Sequence, residues 1–350
     1  MKAAEVPGLS YREAGVDIDV ANATKRSMAD LLRSGDARVL NSLGAFASLF
    51  EASFPGYEHP VLVLKTEEPG TKQRLAVENK RYSSICYDMI NHLINDIIVM
   101  GATPVAVQDA IICGKLEQEV VSEMVGAIAA ACREQGCSLT GGETSEQPGV
   151  ILAGTYILTS SVVGVVEKAG IIDGSRIREG DRLLALASNG LHTNGYSLVR
   201  RLLESDPGLA DTKVDGESFL EVVLRRHRCY FHGLRGIFGN EDLHGMAHIT
   251  GGGIAENVDR ILPAGVASEV DLSTIRPPAI FRAIRDAGRL TDADMLRTFN
   301  MGVGLMVVAA RSGVDEIREH LATAGYESLE CGEIVAGDKN VVFKGSIAWA

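Results

Sequence analysis

The chain has 350 residues, 46% hydrophobic and 23% charged, enough apolar mass for two domains and unlike a disordered or coiled-coil composition. Its 46 acidic residues outnumber 34 basic ones, and a net charge of -12 argues against nucleic acid as a main partner, because neutralising phosphate needs clustered Lys and Arg. The six cysteines form no CxxC pair, the N-terminus lacks an apolar signal core and no apolar run is long enough to span a bilayer, so free thiols in a cytoplasmic protein are expected.

A polar lead-in precedes one helix near Asn22 to Ser34 and a small-residue segment, Leu43 to Phe50. Val61 to Thr66 is short, branched and closed by turn residues, which predicts a buried strand. Ser84 to Met100 carries Ile85, Met89, Leu93, Ile97 and Met100 at helical spacing. Val105 to Ile112 predicts a second strand, and Glu117 to Gln135 an amphipathic helix stopped by Gly136. Ile151 to Val166 predicts a strand with a bend. Lys168 to Ser175 is turn-rich and marks a boundary, dividing the chain into residues 1–170 and 171–350. Beyond it, strands are expected at Arg182 to Ala187 and Gly302 to Ala310. Helices are expected at Asn194 to Glu204, through the 220s and 230s, after Gly251 to Gly253, and at Val314 to Ala324. The alternation implies two α/β domains of similar size.

Four polar clusters interrupt this pattern. Thr66-Glu-Glu-Pro-Gly-Thr-Lys72 follows a strand and could offer backbone N–H groups, a hydroxyl and an ammonium to phosphate. It lacks P-loop spacing, and taken alone it also fits a surface turn. Asp88 and Asn95-Asp96, with Asn91 and His92, share the helix beginning near Ser84; they read either as a magnesium or phosphate site or as a solvated polar stripe. Gly141-Gly-Glu-Thr-Ser-Glu-Gln-Pro-Gly149 places Glu143 and Glu146 in a glycine-bearing loop at a sheet edge. Ser188-Asn-Gly-Leu-His-Thr-Asn-Gly195 and His248-Ile-Thr-Gly-Gly-Gly-Ile-Ala-Glu-Asn257 each open a helix, where free N–H groups meet the positive end of the dipole and favour anions. His59, His227, His232, His244 and His320 read as surface or helix residues, and no HxH or HExxH pattern supports a zinc site.

In their order and spacing these clusters resemble the phosphoribosylformylglycinamidine cyclo-ligase (aminoimidazole ribonucleotide synthetase) family over roughly residues 10 to 345. The similar blocks are Ser10 to Asp19, Asn95-Asp96, Gly141 to Thr144, His192 to Val199, His248 to Gly253 and Thr298-Phe-Asn-Met-Gly-Val-Gly304. The resemblance implies a homodimer of two-domain α/β (α+β) chains, the N-terminal domains pairing through their sheets into a barrel-like interface. It implies ATP and Mg2+ near that interface and formylglycinamidine ribonucleotide in a cleft toward the C-terminal domain. ATP would phosphorylate the formamide oxygen, and the amidine nitrogen would then close the imidazole ring as phosphate leaves, with ADP the other product.

On that resemblance, Glu67, Asp96 and Glu143 would hold the metal, and Gly70, Thr71, Lys72, Asn95, Gly141 and Gly142 the nucleotide. Asp96, Glu143 and Lys72 would also serve catalysis, and His192 would shuttle a proton or donate to the substrate. Ser188, Asn189, Gly190, Asn194, Thr250, Gly251, Gly252 and Gly253 would cradle the substrate. The chain departs from the family's Asp-Gly-Val-Gly-Thr-Lys at Glu67 and Glu68, from its Pro-Thr-Arg at Arg226-His227-Arg228, and from its early lysine at Arg12. The altered first loop leaves a second expectation open, another ATP-dependent small-molecule kinase or synthetase of the same superfamily.

Overall fold

A computed structural model describes residues 19, 22–24, 35–41 and 46–349. The opening motif through residue 18, including Arg12, lies outside them. The helix expected from Asn22 is seen only at residues 22–24, and its remainder is outside the described residues.

The first half forms a four-stranded sheet from β1 (Pro60–Glu67), β2 (Thr103–Cys113), β3 (Ser138–Glu146) and β4 (Tyr156–Glu167), in the order β1-β4-β2-β3. Only the β2–β3 pair is parallel. A short helix α1 (Lys72–Glu78) leads into α2 (Tyr82–Ile98), which packs on β1 and β4, while α3 (Gln118–Glu134) packs on α2 and β3. The apolar spacing in the sequence selects the right face of α2: Ile85, Met89, Leu93 and Ile97 are fully buried. β1 alternates half-buried and exposed residues, so its Lys65 and Glu67 face the helices while Leu62 and Leu64 face outward. The bent strand expected from Ile151 begins only at Tyr156; the residues before it form turns.

The second half forms a six-stranded sheet. Its strands are β5 (Arg182–Ala187), β6 (Leu243–His248), β7 (Val266–Asp271), β8 (Val303–Ala309), β9 (Ser328–Ala336) and β10 (Val341–Lys344), in the order β10-β7-β9-β5-β8-β6. All pairs are antiparallel except β7–β10. α4 (Tyr196–Ser205) follows the loop after β5, and α5 (Gly253–Val258) follows the loop after β6. The helix expected through the 220s and 230s is instead two short pieces, Phe219–Val223 and Phe231–Leu234, with an irregular segment at 224–230 between them. That segment runs along α2 of the first half, and the site is built there.

Candidate active site

The polar stripe of α2 is not solvated. Asp88, Asn91, His92 and Asn95 are all buried, because the stripe packs against residues 225–230. Buried polar groups need partners, and the stripe supplies one at each turn. Asp88 Oδ1 accepts from the His227 backbone N–H at 2.5 Å, and Asn91 Nδ2 donates to the His227 carbonyl at 2.7 Å. Asn95 Nδ2 donates to the Arg228 carbonyl at 2.8 Å, while its Oδ1 accepts from the Tyr230 N–H at 2.9 Å. Asn95 is thus committed to holding the backbone and is not presented to a nucleotide.

Lys72 is likewise placed differently from expectation. Its ammonium is fully buried, 2.8 Å from Asp88 Oδ2, and donates to the carbonyls of Arg225 at 2.7 Å and His192 at 3.1 Å. Burial lowers the Lys72 ammonium's affinity for its proton and pushes Asp88 up to about 6, against the attraction each offers the other. The neighbouring Gly70, at φ 60°, and exposed Thr71 lie beside the loop opening α4: Gly70 packs near the Thr193 carbonyl and Thr71 Oγ1 is 3.3 Å from Ser197 Oγ.

Around this pair the two halves bring four histidines together: His92 from α2, and His192, His227 and His248 from the second half. All are buried. His192 stacks on His227 with ring centroids 3.9 Å apart, and neither of its ring nitrogens has a hydrogen-bond partner among the described residues. It sits at φ 59°, left-handed backbone unusual for a residue with a side chain. Gly304 makes room for it: a Cβ there would lie 2.7 Å from His192 Cε1 and would also run into the Tyr230 hydroxyl. His192, in the loop that opens a helix, is thus packed into the core, and the reading of His227 and His244 as surface or helix residues is corrected. His244 is buried, 2.7 Å from Asp181.

Asp96 joins this cluster to the first loop. Its Oδ1 accepts from His248 Nδ1 at 2.7 Å, and its Oδ2 lies 3.0 Å from Lys65 Nζ, which also reaches Glu67 at 2.9 Å. Burial works to raise the Asp96 carboxyl, but the His248 hydrogen bond and the surrounding histidines and Lys65 hold it well below the usual carboxylate range. Glu68 is exposed and keeps a negative φ.

Glu143 is set apart. The glycine-bearing loop of the sequence reading is strand β3, and the register aligns Glu67, Ser160, Asp109 and Gly142 across four strands. Three strand spacings put β3 about 14 Å from β1, so exposed Glu143 cannot share one ion with Glu67. Between them lies Asp109, a carboxyl absent from the sequence reading. It is buried in β2, and burial pushes it up to about 7. Gly142 faces it, and a Cβ there would overlap the Asp109 side chain. The available signal was a lone carboxylate within the apolar run Val105 to Ile112.

The glycine loops of the second half converge. Asn257 Nδ2 donates to the carbonyls of Gly251 and Gly253, and its Oδ1 accepts from Thr250 Oγ1 at 3.1 Å, which fixes the turn. Gly252 and Gly253 both have positive φ. Asn194 Oδ1 approaches Gly251, and its buried Nδ2 has no hydrogen-bond partner among the described residues. Ser188, Asn189 and Gly190 are held by structural bonds, Ser188 Oγ to the Gly190 carbonyl and Asn189 Nδ2 to the Arg226 carbonyl, with Asn300 Nδ2 also on Gly190. A separate cavity of about 730 Å3, lined by residues such as Arg276, Arg318 and Glu319, includes none of these residues.

Residues 55–166 match the N-terminal domain, and residues 178–345 the C-terminal domain, of the AIR synthase related protein family. The chain is 40% identical over 333 residues to a protein of Methylobacillus flagellatus named phosphoribosylformylglycinamidine cyclo-ligase, covering 95% of this chain and 96% of that one. The fold is similar to thiamine-monophosphate kinase from Stenotrophomonas maltophilia, with a TM-score of 0.63 at 16% identity over 95% of this chain and 98% of that one. It is also similar to the hydrogenase maturation protein HypE in complex with ATP, with a TM-score of 0.61 at 18% identity over 92% and 91% of the two chains. Identity of this extent along both domains shows that the chain belongs to the phosphoribosylformylglycinamidine cyclo-ligase family.

Proposed function

We propose that this chain closes the imidazole ring of formylglycinamidine ribonucleotide, using ATP and giving aminoimidazole ribonucleotide, ADP and phosphate in purine biosynthesis. The observation that carries this reading is the joining of both halves at one place: Lys65, Glu67 and Asp96 of the first form a chain of ion pairs that ends on His248 of the second. ATP transfers its γ-phosphoryl group to the formamide oxygen, the amidine nitrogen attacks the activated carbon, and the C–O bond breaks as phosphate leaves with that oxygen.

Glu67 and Asp96 are part-exposed carboxylates, the oxygen donors that Mg2+ prefers. Asp109 extends that line toward Gly142; Glu143, one residue on, points from the opposite face of the sheet and would meet the nucleotide from there rather than share the first ion. When bound, magnesium neutralises developing phosphoryl charge. Gly70, Thr71, Gly141 and Gly142 would offer backbone N–H groups to the ATP phosphates. Asn194, whose Oδ1 lies near Gly251 and whose buried Nδ2 has no hydrogen-bond partner among the described residues, would hold the substrate together with the Thr250 to Gly253 turn. Burial and neighbouring positive charge keep His192 neutral, which suits it to donate a hydrogen bond to the substrate rather than to take up a proton.

We place the domain boundary at residues 1–170 and 171–350, and we read the assembly as a cytoplasmic homodimer paired through the first sheet. Leu62 and Leu64 are 53% and 70% exposed on a face that also carries Ala106, Ile112, Ile157 and Val163. Six free thiols fit a reducing compartment. No described helix is long and apolar enough to cross a membrane. A coupled ADP-release assay with formylglycinamidine ribonucleotide tests the activity. Turnover with aminoimidazole ribonucleotide formed is expected; ADP release only with other acceptors would replace ring closure by the kinase reading.

A further inference from the structure

The histidine cluster contains more order than proton transfer needs. Hydrogen bonding fixes the tautomers of two of its rings. Because Asn95 Oδ1 takes the Tyr230 N–H, its amide nitrogen must face both the Arg228 carbonyl and, at 3.2 Å, His227 Nε2. His227 Nε2 therefore receives an N–H and carries a lone pair, with its proton on Nδ1 facing Thr193 Oγ1 at 3.4 Å. On the other ring, Asp96 can only accept, so the proton of a neutral His248 sits on Nδ1 and its Nε2 carries a lone pair. These two Nε2 atoms are 3.2 Å apart. Two lone pairs at that distance repel unless a metal ion or a shared proton lies between them.

The separation suits a particular class of ion. Two imidazole nitrogens on one tetrahedral zinc, each about 2.0–2.1 Å from it, are roughly 3.3 Å apart. His192 supplies a third donor. It is buried, its nitrogens have no hydrogen-bond partner among the described residues, and its ligand atom lies within 4.8 Å of those of the other two; its ring must turn out of the stack on His227 to aim a nitrogen at the ion. A buried imidazole with both nitrogens unsatisfied is costly, and a metal bond would satisfy one of them. Asp96 on His248 Nδ1 is the carboxylate–histidine support common behind metal-bound imidazole. An ion at His227 Nε2 would take over its lone pair and leave Asn95 its bond to Arg228.

We propose that His192, His227 and His248 form a three-nitrogen site for a zinc-class transition-metal dication, with a fourth position open. The site is distinct from the magnesium site of Glu67 and Asp96, because nitrogen donors suit zinc, cobalt, nickel or copper, whereas magnesium takes oxygen. His227 stands where the family motif quoted above has threonine, so this donor arises from that departure.

The test uses the full chain, dialysed against chelator and titrated with zinc or cobalt alone. One equivalent per chain is expected, with the strong visible absorption of tetrahedral cobalt, undiminished by millimolar magnesium. His192→Ala and His227→Gln should each weaken zinc binding more than Asp96→Asn does, and Asp96→Asn should weaken it about 10–100-fold. Circular dichroism identifies any variant that fails to fold, and the folded variant then decides. Failure of the wild-type chain to bind zinc overturns the proposal. So does stoichiometric binding that survives His192→Ala or His227→Gln. Nitrogen NMR showing a proton shared between His227 and His248 Nε2 with zinc present would mean that a charged His248, not a metal, bridges the pair.

Discussion

Lys72→Met tests whether the first-loop lysine is an anchor between the halves or a ligand for phosphate. The substitution leaves Asp88, with a fully buried side chain, without its counter-charge, and removes the donor to the carbonyls of His192 and Arg225. Removing one partner of a buried ion pair costs about 3–5 kcal/mol. Total stabilities are on the order of 5–15 kcal/mol, so the variant should be marginal. The pH dependence has a definite sign. Burial raises Asp88 to about 6 even beside Lys72, above the ordinary 3.8, so between those values the folded chain holds more protons than the unfolded one. Stability from this group therefore falls as pH rises through that window. Without Lys72 the carboxyl rises further, and the deficit should grow between pH 5 and pH 8 by about 1.4 kcal/mol per additional unit. Urea unfolding followed by far-UV circular dichroism, at both pH values and one protein concentration, measures it. Adding Asp88→Asn, which keeps an acceptor for the His227 N–H, should recover much of the loss. If Lys72→Met stays within about 1 kcal/mol of wild type while the KM for ATP rises steeply, the buried-anchor reasoning fails and the lysine meets phosphate.

Glu67→Gln should sharply raise the magnesium concentration needed for turnover while Glu68→Gln has little effect; an unchanged magnesium dependence for Glu67→Gln would remove this carboxylate from the metal site. Gly304→Ala should cost about 1–3 kcal/mol in thermal or urea unfolding, because its methyl enters space held by Tyr230 and His192. Asp109→Asn should flatten the pH dependence of stability between roughly pH 4 and pH 7, since the raised Asp109 carboxyl makes the native chain less stable as pH rises through that interval. Leu64→Glu should shift light scattering from dimer to monomer; a wild-type chain that is monomeric and fully active would exclude the sheet-paired dimer.

The sequence exposed the regular parts of this fold because their signals are local. Apolar spacing located α2 and its packed face, and branched runs located β1, β2, β5 and β8 to within a few residues. Gly141-Gly142 misled because glycines read as a turn; here they lie in a parallel edge strand, where Gly142 leaves space for Asp109. The polar residues of α2 gave no sign of what would cover them, since residues 224–230 have no periodicity to mark them as a packed segment. His227 therefore reads as a surface or helix residue. Lys72 was misplaced for a related reason: a Gly-Thr-Lys sequence cannot reveal that its buried counter-ion, Asp88, comes from the next helix.

The stitching of residues 225–230 onto α2 has a consequence for motion. The backbone amides of His227 and Tyr230 belong to no strand or helix, yet each is capped by a buried side chain from the other half of the chain. In hydrogen exchange they should behave like core amides and open only when the two halves separate. Their protection would thus report parting of the domains rather than local fraying. Any opening that leaves these bonds intact must then pivot around this seam.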